Sequence, residues 1–155
     1  GGKVNQVVSV FKADTFSTTS TSMTDVTGVT AAITPSASDS KVLITVSMVV
    51  SGEGGYLYSL RLKRVLNSVT TYPGVGTAAG SRIPSFYSSA SQAAYAPWSI
   101  NFTFLDSPAS TLESTYNVQC MVEGSTFYVG RSYTDTDNAL YGRTGSTITL
   151  TEILA

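Results

Sequence analysis

The residues of this chain that could perform acid–base chemistry are its carboxylates, because it contains no histidine and a single cysteine, Cys120. Histidine is the usual general base, so Ser-His-Asp and Cys-His catalytic systems are excluded. Paired carboxylates can still hydrolyse glycosidic bonds. The candidates are Asp106, Glu113, Glu123, Asp135, Asp137 and Glu152. Most of them fall at predicted turns or strand ends, so we expect that the chain is not an enzyme.

An acidic loop at residues 135–138, DTDN, is the weak candidate for a metal site. Asp135 and Asp137 present oxygen ligands at close spacing, as a hard cation such as Ca²⁺ requires. The loop lacks the glycine and the distant glutamate of a calcium-hand loop. A solvated turn, in which the Asp and Asn side chains bond their own backbone, is the favoured interpretation. We therefore expect no metal and no other cofactor.

Arginine and aromatic residues in Gly-, Ser- and Ala-rich loops are the candidate binding residues. Arginine forms bidentate bonds with carboxylates, so these residues either pair with Asp135, Asp137 or a neighbouring chain, or contact an anionic glycan. Aromatic rings either lie against a sugar face or pack at subunit contacts, and the sequence leaves both open. The candidates are Arg82, Arg131, Arg143, Tyr72, Phe86, Tyr87, Tyr95, Tyr133 and Tyr141.

Extended segments with alternating apolar residues must position these loops. Side chains on a strand change face at every residue, so alternation predicts a strand with one buried face. The clearest segments are residues 3–12, 23–34, 41–51, 56–66 and 146–154. Gly28 interrupts the second of them and predicts a β-bulge. No stretch shows a convincing helical period, so we expect little helix.

The segment from Pro97 to Val122 carries the largest aromatic cluster and is predicted to form the centre of the sheet. Its two halves alternate, with Trp98, Ile100, Phe102 and Phe104 on one face of the first. Tyr116, Val118, Cys120 and Val122 share one face of the second. The intervening Asp-Ser-Pro-Ala-Ser favours a turn. We interpret the two halves as a long hairpin.

Composition excludes several classes of partner. The net charge is −1 and only 12% of residues are charged, so no field favours nucleic acid or an anionic membrane. Arg61 and Lys63 share a face opposite Leu60 and Leu62, which is typical of a charged edge strand. No apolar run is long enough to insert into a membrane. The alternating pattern is lost over residues 67–96, where we expect at most one or two short strands, and loops of that length are usually functional or interfacial.

About eight strands joined by polar turns predict an all-β fold, an antiparallel β-sandwich or jelly roll. The 155 residues are one domain's worth of chain. The start at Gly1-Gly2, without Met, suggests a fragment of, or a module within, a longer protein.

The chain resembles a domain that recurs in tailed-phage structural proteins, especially in the fibre and appendage tips of marine and cyanobacterial phages. Four blocks carry the resemblance: KVNQVVSVFKADTFSTTSTSMTDVTGVTAAITPSASDSKVLI at 3–44, GVGTAAGSR at 74–82, INFTFLDSPASTLESTYNVQ at 100–119 and YVGRSYTDTDNALYGRTGSTITLTEI at 128–153. The resemblance implies an all-β, trimeric module exposed on the virion, and it supplies no catalytic residues.

The sequence thus predicts a β-sandwich domain of a phage tail fibre or appendage that attaches to a host-surface receptor or glycan. The partners expected are further copies in a homotrimer, other virion proteins, and host polysaccharide or protein. One alternative is a capsid-decorating or fibre-capping module that binds virion proteins only. A second alternative is a polysaccharide depolymerase, which would need two of the carboxylates named above.

Overall fold

The computed structural model describes residues 2–90 and 96–155, and the regular elements in those ranges are all β-strands. The long strands are β1 (Lys3–Lys12), β3 (Thr24–Ile33), β4 (Lys41–Gly52), β5 (Leu57–Leu66), β8 (Trp98–Asp106), β9 (Ser114–Val122) and β11 (Ser146–Leu154). The short strands are β2 (Phe16–Thr18), β6 (Val69–Thr71), β7 (Tyr87–Ala90) and β10 (Phe127–Val129). No helix capable of spanning a membrane occurs in the described ranges.

The strands form two antiparallel sheets that pack face to face, which confirms the predicted β-sandwich. In the first sheet, β4 pairs with β11 and β10 along one side and with β8 along the other. β1 lies beyond β11, and β2 lies beyond β10. The second sheet has the order β3-β9-β5, with β6 and β7 pairing different parts of β5.

The core lies between the inner faces of the two sheets, where the predicted alternation places the apolar side chains. Each apolar side chain that is buried fully contributes about 1.5–3 kcal/mol relative to exposure. The fully buried residues include Val42, Ile44, Val46, Val50, Tyr58, Leu60, Leu62, Tyr116, Val118, Ile148 and Leu150. Cys120 is part of this core, and burial raises the pKa of its thiol to about 12, so it behaves as a small apolar residue.

The predicted hairpin between residues 97 and 122 is wrong, although both of its strands exist. β8 pairs with β4 in the first sheet, whereas β9 lies between β3 and β5 in the second. The connection crosses from one sheet to the other, with Ala109 in a left-handed conformation at φ 53°. Strands that face each other across a sandwich alternate in the same way as paired strands. The alternation therefore predicts which face of each strand is buried, but not which strand it pairs with.

The strand that carries Arg61 and Lys63, β5, is not an edge strand over its whole length, but these two residues do lie at a locally open edge. β9 pairs with β5 on one side, whereas on the other side β7 pairs with Leu57–Leu60 and β6 with Arg64–Leu66, which leaves residues 61–63 without a partner strand there among the described residues. The two cations lie on the outer face of the second sheet, where they are paired within the chain. Lys63 Nζ donates to Asp25 Oδ2 at 2.6 Å, and Arg61 Nε donates to Gln119 Oε1 at 2.8 Å.

One end of the sandwich is closed by two buried carboxylates, Glu152 and Asp106, and is called the latch end below. Both pair with Val42 of β4, Glu152 from β11 on one side and Asp106 from β8 on the other. They therefore occupy one row of the inner face of the first sheet. Glu152 is 0% exposed and Asp106 is 7% exposed.

Glu152 is held entirely by neutral donors. Its Oε1 accepts from the Ser36 amide at 2.7 Å and from the Ser36 and Ser40 hydroxyls at 2.8 Å. Its Oε2 accepts from Asn5 Nδ2 at 2.9 Å and Gln6 Nε2 at 2.7 Å. Burial alone raises the pKa of a carboxyl, yet these bonds together bring the pKa of Glu152 well below its ordinary value. The carboxylate ties β1 and the β3–β4 loop to the end of β11.

Asp106 instead has a charged partner from the opposite sheet. Arg64 Nη1 donates to Asp106 Oδ2 at 2.6 Å, and the Tyr116 hydroxyl donates to the same oxygen at 2.9 Å. Arg64 lies on β5 and Tyr116 on β9, so this cluster bridges the two sheets. Burial is the main reason that the pKa of Tyr116 is raised, and the Asp106 charge raises it further.

Candidate functional site

The opposite end of the sandwich carries the loop of residues 130–145 and is called the site end below. The loop follows β10 and is tied to the scaffold at both of its ends. Gly130, at φ 81°, donates its N–H to the Val49 carbonyl at 2.9 Å, and its own carbonyl accepts the Thr144 N–H at 3.1 Å. A side chain is strained at that backbone conformation, so glycine is required there. Six of the sequence-predicted residues lie on this loop: Arg131, Tyr133, Asp135, Asp137, Tyr141 and Arg143.

Arg131 holds the start of the loop through all three nitrogens of its guanidinium. Its Nε donates to the Ser132 carbonyl at 3.0 Å, and its Nη2 donates to the Tyr133 carbonyl at 2.9 Å. Its Nη1 lies 3.3 Å from Asp135 Oδ2, and the guanidinium lies 4.2 Å from the centre of the Tyr128 ring. Because each of the three guanidinium nitrogens has a partner and one face covers the Tyr128 ring, Arg131 shapes the loop rather than presenting a free charge.

Asp135 joins the two arginines of the loop. Arg143 forms a two-pronged pair with it, in which Nη1 donates to Oδ1 and Nη2 donates to Oδ2 at 2.9 Å. The bond from Arg143 lowers the pKa of Asp135, desolvation opposes that shift, and the charge of Arg131 adds to it. Both oxygens of the Asp135 carboxylate therefore bind guanidinium groups. Across residues 2–90 and 96–155, no three His, Cys, Asp or Glu side chains lie close enough to hold a metal ion.

The tip of the loop is a tight turn that projects an apolar side chain. Asn138 Oδ1 accepts the Leu140 N–H at 2.9 Å, and the Asn138 carbonyl accepts the Tyr141 N–H at 2.9 Å. Such bonds to the local backbone are the usual behaviour of Asn in turns. Leu140 is 90% exposed. The sequence reasoning missed Leu140, although a leucine inside the polar run TDTDNALYGRTG is an available signal.

Leu140 and Tyr141 border a cavity of about 270 Å³ between the loop and the scaffold. Val49 of β4 and Pro97, just before β8, form its scaffold side, and Arg131 lies along its wall. A second cavity of about 260 Å³ adjoins it, because Pro97 lines both. Tyr87 and Trp98 line the second cavity. The two cavities on either side of Pro97 are called the Pro97 site below.

The remaining sequence-predicted residues lie elsewhere or are committed to packing. The Tyr72 ring is covered by the Arg61 guanidinium at 3.6 Å. Phe86 stacks on Phe102 with ring centres 4.2 Å apart. Arg82 borders a separate cavity near Ser59 and donates to the Ala79 carbonyl at 3.3 Å. Tyr95 lies outside the described residues. Of the sequence-predicted set, Tyr87, Arg131 and Tyr141 line the Pro97 site. A separate cavity at the loop is lined by Asp135, Asp137, Tyr141 and Arg143.

Comparison with known proteins shows a shared fold. No protein-family model matches the chain, and no curated protein sequence matches it. Its fold is similar to that of a chain in the structure of infectious bursal disease virus, Gx strain, with a TM-score of 0.51 and 13% sequence identity. The match covers 97% of this chain and 37% of that chain, so this chain spans little more than a third of its structural neighbour.

Proposed function

We propose that the chain is a structural β-sandwich domain of a virus particle, exposed on the virion, which uses the Pro97 site to attach to a host surface. The observation that carries the virion role is the shared fold with a chain of a virus structure, which extends along 97% of this chain. The resemblance to phage appendage domains supports the finer assignment to a tail fibre or similar appendage.

The geometry of the site end supports attachment through aromatic and apolar contacts. Tyr87, Trp98 and Tyr141 offer rings beside two small cavities, and Leu140 projects from the loop tip. Aromatic rings with polar edges suit sugar faces and protein surfaces alike. The loop arginines are engaged with Asp135, which favours a neutral glycan or a protein surface over an anionic glycan.

A non-enzymatic role is the better proposal for the carboxylates. Glu152 and Asp106 are buried in hydrogen-bond networks at the latch end, and Asp135 is paired with two arginines. A glycosidase needs two carboxyl groups that flank a bound sugar. These three hold the fold together, which leaves only Glu113, Glu123 and Asp137 of the six candidates for a depolymerase and favours attachment without cleavage.

Two experiments test the proposal separately. Gold-labelled antibodies against the chain should mark the surface of particles of the phage that encodes it, and unlabelled particles would contradict the virion assignment. Purified chain should compete with those particles for adsorption to host cells. Particles that label while the chain fails to compete would instead favour a capsid-decorating or fibre-capping module that binds virion proteins only.

A further inference from the structure

The outer face of the first sheet carries an uncharged grid of side chains that the proposed site does not use. Its central row runs across four adjacent strands and consists of Ser9, Thr149, Thr45 and Thr103, which are direct neighbours in register. All four carry hydroxyl groups, spaced by the strand separation of about 4.8 Å. In the described residues, the one side-chain hydrogen bond of this row joins Ser9 Oγ and Thr149 Oγ1 at 2.8 Å.

The row on one side of the hydroxyl row is mainly apolar. It consists of Val7, Thr151, Leu43 and Leu105 in register. Val7 and Leu105, at its two ends, are 58% and 49% exposed. Exposure of such apolar side chains to water is unfavourable, and their burial in an interface would lower the free energy.

The row on the other side consists of Phe11, Thr147, Ser47 and Asn101. None of the residues in the three rows is ionisable, and Phe11 is 66% exposed. The three rows together are called the hydroxyl face below. A face without charge gains nothing from an anionic or cationic partner. Its one aromatic ring lies at a corner, so it offers no central platform on which a sugar could stack.

We propose that the hydroxyl face is the contact between two copies of this chain, related by a two-fold axis that runs along the strands. Such an axis places each row of one copy over the same row of the other and reverses the strand order. Val7 of one copy then faces Leu105 of the other, and Thr45 faces Thr149. Apolar residues meet apolar residues, and hydroxyls meet hydroxyls.

The chemistry of the face suits contact with itself. A hydroxyl both donates and accepts, so a row of hydroxyls is complementary to an identical row. A two-fold contact uses the same patch on both copies and therefore requires this self-complementarity. Sheets that pack face to face align to within about 30°, which keeps the central rows in register.

The size of the face predicts a weak contact. Three rows about 6.6 Å apart across four strands about 4.8 Å apart cover roughly 400 Å². Two copies would bury about 800 Å² in total, which is less than a stable specific interface buries and is the size of a transient contact. The pairing should therefore depend on concentration. None of the twelve residues of the three rows lines the Pro97 site, so the pairing does not rest on the proposed attachment role.

Sedimentation velocity over a concentration series tests the pairing. The unaltered chain should shift from monomer to dimer with a Kd on the order of 10–100 µM. Thr45→Lys places two like charges about one strand spacing apart across the axis, and it should weaken the dimer at least about tenfold. Thr70→Lys, an exposed threonine on β6 of the second sheet, is the matched control and should leave the dimer unchanged.

A charge-swapped mixture separates a direct contact from a general disturbance. Thr45→Lys and Thr45→Glu should each dissociate alone and should form mixed dimers when combined, because their charges then meet across the axis. Both variants should keep the melting temperature of the unaltered chain, since Thr45 is exposed. A monomer at every concentration, a dimer insensitive to Thr45→Lys, or a mixture that fails to associate would each overturn the proposal, whatever the particle-labelling result.

Discussion

The two ends of the sandwich are built on the same strands but use their polar groups in opposite ways. At the latch end, the carboxylates of Glu152 and Asp106 are buried and hold strands together. At the site end, beyond Val49 and Pro97, a loop stiffened by Arg131 surrounds open cavities and projects Leu140. The contrast separates stability from recognition: changes to the buried carboxylates of the latch end should destabilise the fold, whereas changes to the exposed loop of the site end should alter what the chain binds.

Removal of Asp106 should produce the largest loss of stability. Asp106→Ala leaves the Arg64 guanidinium largely buried without its carboxylate and leaves the Tyr116 hydroxyl without its acceptor. We expect the free energy of unfolding to fall by about 3–5 kcal/mol, measured by urea denaturation. Adding Arg64→Met should recover part of this loss, because the unpaired charge is then absent. A loss below about 1 kcal/mol would show that the pair does not close the sandwich.

Glu152→Gln should have the next largest effect, because it replaces one carboxylate oxygen with an NH₂ group that faces existing donors. We expect a loss of about 2–3 kcal/mol at neutral pH, since hydrogen bonds to a charged group are among the stronger ones. Asn5→Ala, which removes one donor and keeps the carboxylate, should cost less. Equal losses from the two variants would contradict the assigned role of Glu152.

Glu152 should also make the free energy of unfolding depend on pH. The lowered pKa of Glu152 means that the unfolded chain binds a proton near the ordinary value of 4.5 while the folded chain resists protonation. Its contribution is therefore complete above pH 4.5 and declines below it, by at most about 1.4 kcal/mol per pH unit. Urea denaturation between pH 5 and roughly pH 3 should show a steeper decline for the unaltered chain than for Glu152→Gln.

The latch end also shows what the sequence could and could not predict. The alternation of β1, β4 and β11 marks their bounds and buried faces, because period-two burial is a local property. The pairing of Glu152 with Ser36 and of Asp106 with Arg64 joins residues far apart in the chain. The hairpin prediction failed for the same reason, because the alternation within a strand does not depend on which strand it pairs with.

The types of residue at the site end could be predicted from the sequence, but their arrangement in space could not. Its polar, glycine-rich loop and its arginines stand out in the sequence, and so do Tyr87 and Tyr141. The cavities beside Pro97 depend on how Pro97 and Trp98 lie relative to the loop at 130–145, which no local sequence pattern predicts. Strands as short as β6, β7 and β10 likewise give too few residues for a period to emerge.

A buried tyrosine near the site end should contribute less to stability than either carboxylate. The Tyr58 hydroxyl donates to the Glu53 carbonyl at 2.9 Å, so Tyr58→Phe should cost about 1 kcal/mol at neutral pH. Burial is the main cause that raises the pKa of Tyr58 to about 12 from its ordinary 10.0. The advantage of the unaltered chain should hold below pH 10 and shrink as the pH rises towards 12. Denaturation of Tyr56→Phe, whose side chain is partly exposed, should match the unaltered chain.

The smallest effect on stability is expected from substituting two exposed leucines, one at each end of the sandwich. The pair also gives the most direct test of the contrast between the two ends. Leu140→Ser at the tip of the site-end loop and Leu112→Ser in the β8–β9 connection both remove a side chain that is mostly in water. Each should change the free energy of unfolding by no more than about 0.5 kcal/mol. Only Leu140→Ser should reduce competition for host-cell adsorption, because only Leu140 borders the Pro97 site. If both variants competed equally well, recognition would have to lie away from this loop, and the division between the two ends would fail.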